Sequence, residues 1–147
     1  FGEAPPFTEP FDYVLSSGVV SFAPDTEVWL DGLASTVRPG GELVIGDLNP
    51  GARGMLRRRA RKTLLPAREM NGQAPAVIRA GLERRGFRHV RTAGYQLTWP
   101  MPEAMHWSNA RLGGALTPLL LGWNKLRAGS AKLEAFDSWV LRFTKQG

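Results

Sequence analysis

Two short apolar runs, Phe11-Asp12-Tyr13-Val14-Leu15 and Glu42-Leu43-Val44-Ile45-Gly46-Asp47, flank a single amphipathic segment, and this arrangement narrows the fold more than any other feature of the chain. The first run ends in Ser16-Ser17-Gly18, as a buried parallel strand does where it meets its loop. From Asp25 onward, Trp29, Leu30, Leu33 and Val37 recur at helical spacing. Asp25 is placed to cap the start of that helix and Arg38-Pro39-Gly40-Gly41 to end it. The second run is rich in branched residues and closes in the turn-forming Leu48-Asn49-Pro50-Gly51. Strand, helix and strand in that order make the two strands parallel, in a sheet whose faces are covered by helices.

Further along, a basic helix is predicted from about Gly54 to Leu65. A second, from Pro75 to Arg85, gathers Val77, Ile78 and Leu82 before stopping at Gly86. Phe87 to Trp99 reads as a strand in which Tyr95, Leu97 and Trp99 alternate, with Pro100 and Pro102 breaking it. In the final strand, Ser138 to Thr144, Trp139, Leu141 and Phe143 share one face and Val140 supplies apolar surface to the other. Between these strands, residues 101–136 are too long for a hairpin. Leu116, Leu119, Leu120 and Trp123 follow a helical spacing there, so the stretch is read as a helical insertion.

The chain of 147 residues suffices for one domain with a sizeable core. Its 43% hydrophobic and 22% charged residues are those of a folded protein. It opens at Phe1 with a strand only a few residues in, which suggests a processed product or fragment. The absence of cysteine excludes disulfides, thiolate metal sites and cysteine nucleophiles, and fits a cytoplasmic setting. A net charge of +6 favours acidic partners. The longest apolar stretch, around Ala115 to Trp123, is well short of the roughly 18 residues a membrane-spanning helix needs.

The string from Phe11 to Val20, followed by a helix and then Val37-Arg38-Pro39-Gly40-Gly41-Glu42-Leu43-Val44-Ile45, resembles the fourth and fifth strands of class I, Rossmann-like S-adenosylmethionine-dependent methyltransferases. Gly86-Phe87 resembles the entry to that family's sixth strand. Ser138 to Lys145 resembles its seventh, which runs antiparallel between the fifth and sixth. The resemblance covers most of the chain and implies a partial methyltransferase sheet with flanking helices. Residues 1–147 would be the C-terminal part of a single methyltransferase domain, and residues 101–136 a helical insertion or substrate cap within it. The family's first strand, glycine-rich loop and ribose-binding acid do not appear, so a missing N-terminal half of the same domain is an expected partner.

Ligands of open α/β sheets sit outside the carboxyl ends of the parallel strands. Ser16, Ser17, Gly18 and Asp47 occupy those ends. Gly18 would admit a close ligand and the serines could hydrogen-bond a polar amino-acid moiety; the resemblance implies that these three contact S-adenosylmethionine, whereas the pattern alone favours a turn. Asp47 and Asn49 could orient an acceptor or take its proton; equally, either could simply cap the following turn. His106, beside Trp107 in the insertion, is the better of the two histidines for general-base work, and Trp107 would line the acceptor site. His89, flanked by arginines, reads as structural, and there is no metal-ligand spacing.

The implied reaction is methyl transfer to a small, apolar or lipid-like acceptor. The rival is a non-catalytic basic module. Arg57, Arg58, Arg59, Arg61 and Lys62 cannot all be buried on one helix and could grip phosphates. Nucleic acid is disfavoured by the absence of aromatic interleaving. An anionic membrane is favoured by Leu116, Leu119, Leu120, Leu121 and Trp123 lying near Arg111, Lys125, Arg127 and Lys132. The plainer reading packs those leucines onto the domain, as the wall of an acceptor pocket. A third reading, a nicotinamide-dependent Rossmann oxidoreductase, should lack the inserted antiparallel strand.

Overall fold

The computed structural model describes residues 9–52, 72–97, 110–128 and 131–147. Their strands are β1 (Phe11–Ser17), β2 (Val37–Leu48), β3 (Phe87–Leu97) and β4 (Phe136–Lys145), with helices α1 (Thr26–Ser35), α2 (Pro75–Glu83) and α3 (Ala110–Ala128). The four strands form one sheet in the order β1-β2-β4-β3. β1 and β2 run parallel, paired from Tyr13 with Glu42 to Ser17 with Gly46. β4 is antiparallel to both neighbours, Ile45 facing Leu141 on one side and Thr92 facing Leu141 on the other. The α/β class and the inserted antiparallel strand are therefore as the sequence suggests, and that strand argues against the oxidoreductase reading.

Local sequence accounts for the helix starts. The Asp25 carboxylate accepts from the Glu27 and Val28 amides at 2.8 and 3.1 Å, capping α1. α2 begins with Pro75, whose fixed φ suits a first helical position and whose missing N–H costs nothing there. Gly86, at φ +79°, makes the left-handed turn from α2 into β3.

The core lies on one sheet face. Leu43, Ile45, Trp139, Leu141 and Phe143 pack there against Leu30 and Ala34 of α1 and Ile78 and Leu82 of α2. Trp29, Leu33 and Val14 border it. Val77, expected with Ile78 and Leu82, is exposed instead. Ile78 and Leu82 are four residues apart and aligned, whereas Val77 sits about 100° around the helix from Ile78.

Two further expectations are corrected. Arg38-Pro39-Gly40-Gly41 does not end α1. The helix stops at Ser35 and these residues lie within β2. They form an irregularity between the Phe11–Val37 and Tyr13–Glu42 pairs, with Gly40 at φ +77°. Gly41 is buried so tightly that an added Cβ would lie 3.0 Å from the carbonyl oxygens of Asp12 and Arg38. Glycine is required there by close approach. β1, in turn, is not buried on both faces. Among the described residues it is an edge strand, and only Val14 meets the core while Phe11, Tyr13 and Leu15 are exposed. No described helix covers the face that carries Tyr13 and Leu15.

Candidate active site

The carboxyl ends of the parallel strands β1 and β2 meet side by side. Gly18 follows β1 at φ +67° and its amide donates to the Gly46 carbonyl at 2.8 Å, joining the two strand ends just beyond their last register pair. Among the described residues nothing lies within 4 Å of the position a Gly18 side chain would take, so the backbone here faces open space. Ser16 is half-buried and Ser17 exposed at the same edge. Structure thus brings Ser16, Ser17 and Gly18 together at an accessible strand tip.

Past Gly18 the chain makes a short 3-10 turn, Val20–Phe22, and this turn is held from below by Asp47. The Ser21 hydroxyl donates to Asp47 Oδ1 at 2.6 Å and the Ser21 amide to Asp47 Oδ2 at 3.0 Å. The Leu48 amide adds a third donor at 2.6 Å. Asp47 is only 2% exposed, and Ser21 is fully buried. A buried carboxylate needs such donors, and here Ser21 of the turn that follows β1 supplies two of the three. Ser21 was not singled out from the sequence, where it is one polar residue between Val20 and Phe22, 26 positions from its partner.

Asn49 is equally committed. Its Nδ2 donates to the carbonyls of Leu133 and Phe136 at 2.9 and 3.1 Å, and its Oδ1 accepts from the Gly51 amide at 3.1 Å. The turn-capping alternative therefore describes Asn49, with an added tie to the start of β4. His106 and Trp107 lie outside the described residues, as does the Arg57 to Lys62 cluster. His89 Nε2 is 2.9 Å from Thr92 Oγ1, and its ring packs edge-on to Phe143, a structural setting. Among the described residues no group of histidines and carboxylates is arranged to hold a metal ion.

No protein-family model and no curated protein matches the chain. Solved structures do. A SAM-dependent methyltransferase from Thermotoga maritima, described as a possible histamine N-methyltransferase, superposes with a TM-score of 0.64 at 16% identity, over 97% of this chain and 59% of that one. The fold is that of the class I methyltransferases. Magnesium protoporphyrin IX methyltransferase from Synechocystis PCC 6803, with bound SAH, gives 0.57 at 15% identity, over 96% of this chain and 48% of that one. The complex described as that between the Haloferax volcanii Trm112 methyltransferase activator and "the putative methyltransferase" gives 0.58 at 14% identity, over 97% and 58%. The chain thus spans about half to three-fifths of the length of these three proteins. At such identities the likeness establishes the methyltransferase fold.

Proposed function

We propose that the chain is the C-terminal part of one S-adenosylmethionine-dependent methyltransferase domain, with the Ser16–Gly18 tip forming one wall of the donor site. The observation that carries this reading is the parallel β1–β2 pair, with its two carboxyl ends tied by the Gly18–Gly46 hydrogen bond inside a methyltransferase sheet. Open space at Gly18 and the accessible serines suit the polar amino-acid end of the cofactor. Bound S-adenosylmethionine supplies an electrophilic methyl group on a sulfonium. The chain's own residues orient, exclude water and manage protons.

Asp47 takes a positioning role in this scheme. Its carboxylate fixes Ser21, and through it the turn that follows the Ser16–Gly18 tip. Asn49 holds the β2 exit against the start of β4. For a proton acceptor the reading turns to His106, and for acceptor contact to Trp107, within a cap over residues 101–136. The acceptor is a small molecule of apolar or lipid-like character. The domain is completed by an N-terminal half that brings the glycine-rich segment. The exposed edge of β1, together with Tyr13 and Leu15, offers it both backbone pairing and an apolar face.

The test is calorimetric titration of S-adenosylhomocysteine into the polypeptide extended upstream of Phe1. Binding that weakens about tenfold or more in Gly18→Val and Ser17→Ala together supports the reading, at roughly 1.4 kcal/mol per factor of ten. Absent binding, or binding indifferent to both substitutions, overturns it.

A further inference from the structure

Helix α3 stands apart from the rest of the described chain, touching it chiefly through β3. Leu116 and Leu120 are half-buried, one helical turn apart. The remaining apolar side chains are not. Leu119 is 69% exposed and Leu126 78%, and Leu121 and Trp123 are about half exposed. At about 100° per residue, Ala115, Leu119, Trp123 and Leu126 fall on one stripe, while Leu121 lies on a different flank. Four large apolar side chains facing solvent on one helix is more than scattered surface exposure explains.

The charges around them have one sign. Residues 110–128 contain no aspartate or glutamate, and the last turn carries Lys125 and Arg127. Arg127 lies over the Trp123 ring with its guanidinium carbon 6.0 Å from the centroid, so a cation and an interfacial aromatic form one unit at the border of the apolar stripe. Exposed Lys132 lies four residues beyond the end of α3, and the whole chain has a net charge of +6. No described helix is long and apolar enough to cross a membrane.

From this juxtaposition we infer that α3 lies on an anionic lipid surface, with Leu119, Trp123 and Leu126 inserted among the acyl chains and Lys125 and Arg127 at the phosphates. Charge complementarity selects the occupant. A helix free of acids repels a basic partner. Leu119, Trp123 and Leu126 share one face, as a helix lying in the interface plane requires, and Leu121 stays outside that inserted face. Lysine and arginine reach headgroup level by extending their apolar stems along the interface. The inference does not rest on the methyltransferase reading.

The experiment is co-sedimentation of the full chain with vesicles of phosphatidylcholine, with or without phosphatidylglycerol. The chain is expected to partition onto the anionic vesicles and to be released by salt. The triple substitution Leu119→Ser, Trp123→Ser, Leu126→Ser, at exposed positions, keeps the circular dichroism of the native sheet and loses partitioning. Lys125→Gln with Arg127→Gln weakens it by roughly 30-fold, at about 1 kcal/mol per charge near the surface. Because the chain has five tryptophans, insertion of Trp123 is read as the blue shift present in wild type and missing from Trp123→Phe. The inference is overturned if wild type does not partition or if the triple variant partitions equally. It is also overturned if Leu119, Trp123 and Leu126 instead mediate self-association, or if Lys125 and Arg127 bind duplex DNA in preference to anionic vesicles.

Discussion

Ser21 gives both its hydroxyl and its amide to the two oxygens of Asp47, at 2.6 and 3.0 Å, between residues that are each almost wholly removed from solvent. This pair fixes the turn after β1 to the end of β2. Removing the carboxylate in Asp47→Ala leaves the Ser21 donors buried and unpaired, and is expected to cost about 2–3 kcal/mol. Urea denaturation of wild type, Asp47→Ala and Ser21→Ala measures this. If Asp47→Asn instead keeps full stability while abolishing the methyl transfer proposed for the complete domain, Asp47 is a proton acceptor and not a brace.

A second cross-chain tie closes α1. Lys145, at the end of β4, donates through Nζ to the carbonyl of Ala34, in the last turn of α1, at 2.9 Å and to that of Val37, at the start of β2, at 2.7 Å, beside the negative end of the helix dipole. Lys145→Met is expected to lower stability by about 1–2 kcal/mol, since charge-assisted bonds to backbone are lost while the apolar stem is kept. A shift of the denaturant midpoint without change in slope is the signature.

The α1–α2 contact predicts an acid-sensitive limb of stability. Arg85, largely buried, hydrogen-bonds Glu27 at 2.9 Å and Asp31 at 2.7 Å. That hydrogen bonding holds both carboxyls below their usual values of 4.5 and 3.8, outweighing the opposing effect of desolvation. Carboxyls whose folded pKa is depressed stabilise the fold above their unfolded pKa, and the contribution is lost as pH falls through the lowered folded values. Stability measured against pH should therefore decline below about 4.5. In Glu27→Gln, Asp31→Asn that part of the decline should vanish.

Gly94 is the tightest point of β3. A Cβ there would collide with the Phe136 ring, whose Cγ and Cδ2 already occupy the space. Gly94→Ala is expected to destabilise by about 1–3 kcal/mol, as overpacking does, and that cost should largely disappear in a Phe136→Ala background, where the colliding ring atoms are gone. A thermal melt of the single and double variants separates this from a simple glycine effect on strand propensity, which the second substitution would not relieve.

Much of this architecture is legible from residue order. Phe11–Gly18 and Glu42–Asp47 announce parallel strands because each is an apolar run closed by turn residues, and Asp25 announces α1 because its carboxylate is two and three residues ahead of the amides it caps. The exposure of β1 was not legible: Val14, Tyr13 and Leu15 read alike, and only the sheet order shows which of them meets a helix. Arg38-Pro39-Gly40-Gly41 misled because a Pro-Gly pair signals a helix end or a strand irregularity equally, and Phe11 decides the matter by pairing with Val37. At the site, Asp47 and Asn49 were found by position, but their work was not. Ser21, Leu133 and Phe136 are 26 to 87 residues away from them, and no local pattern encodes such partners.

Among the described strands, the last in sequence is an inner one. β4 separates β2 from β3, so β3 has no described strand to join until β4 is made. Assembly cannot follow the order of synthesis, and the slow, non-local closure of β4 against both neighbours should gate native structure. Loss of β4 would accordingly divide the described sheet into a β1–β2 ribbon and a stranded β3, where an equal loss at an outer strand would merely narrow it.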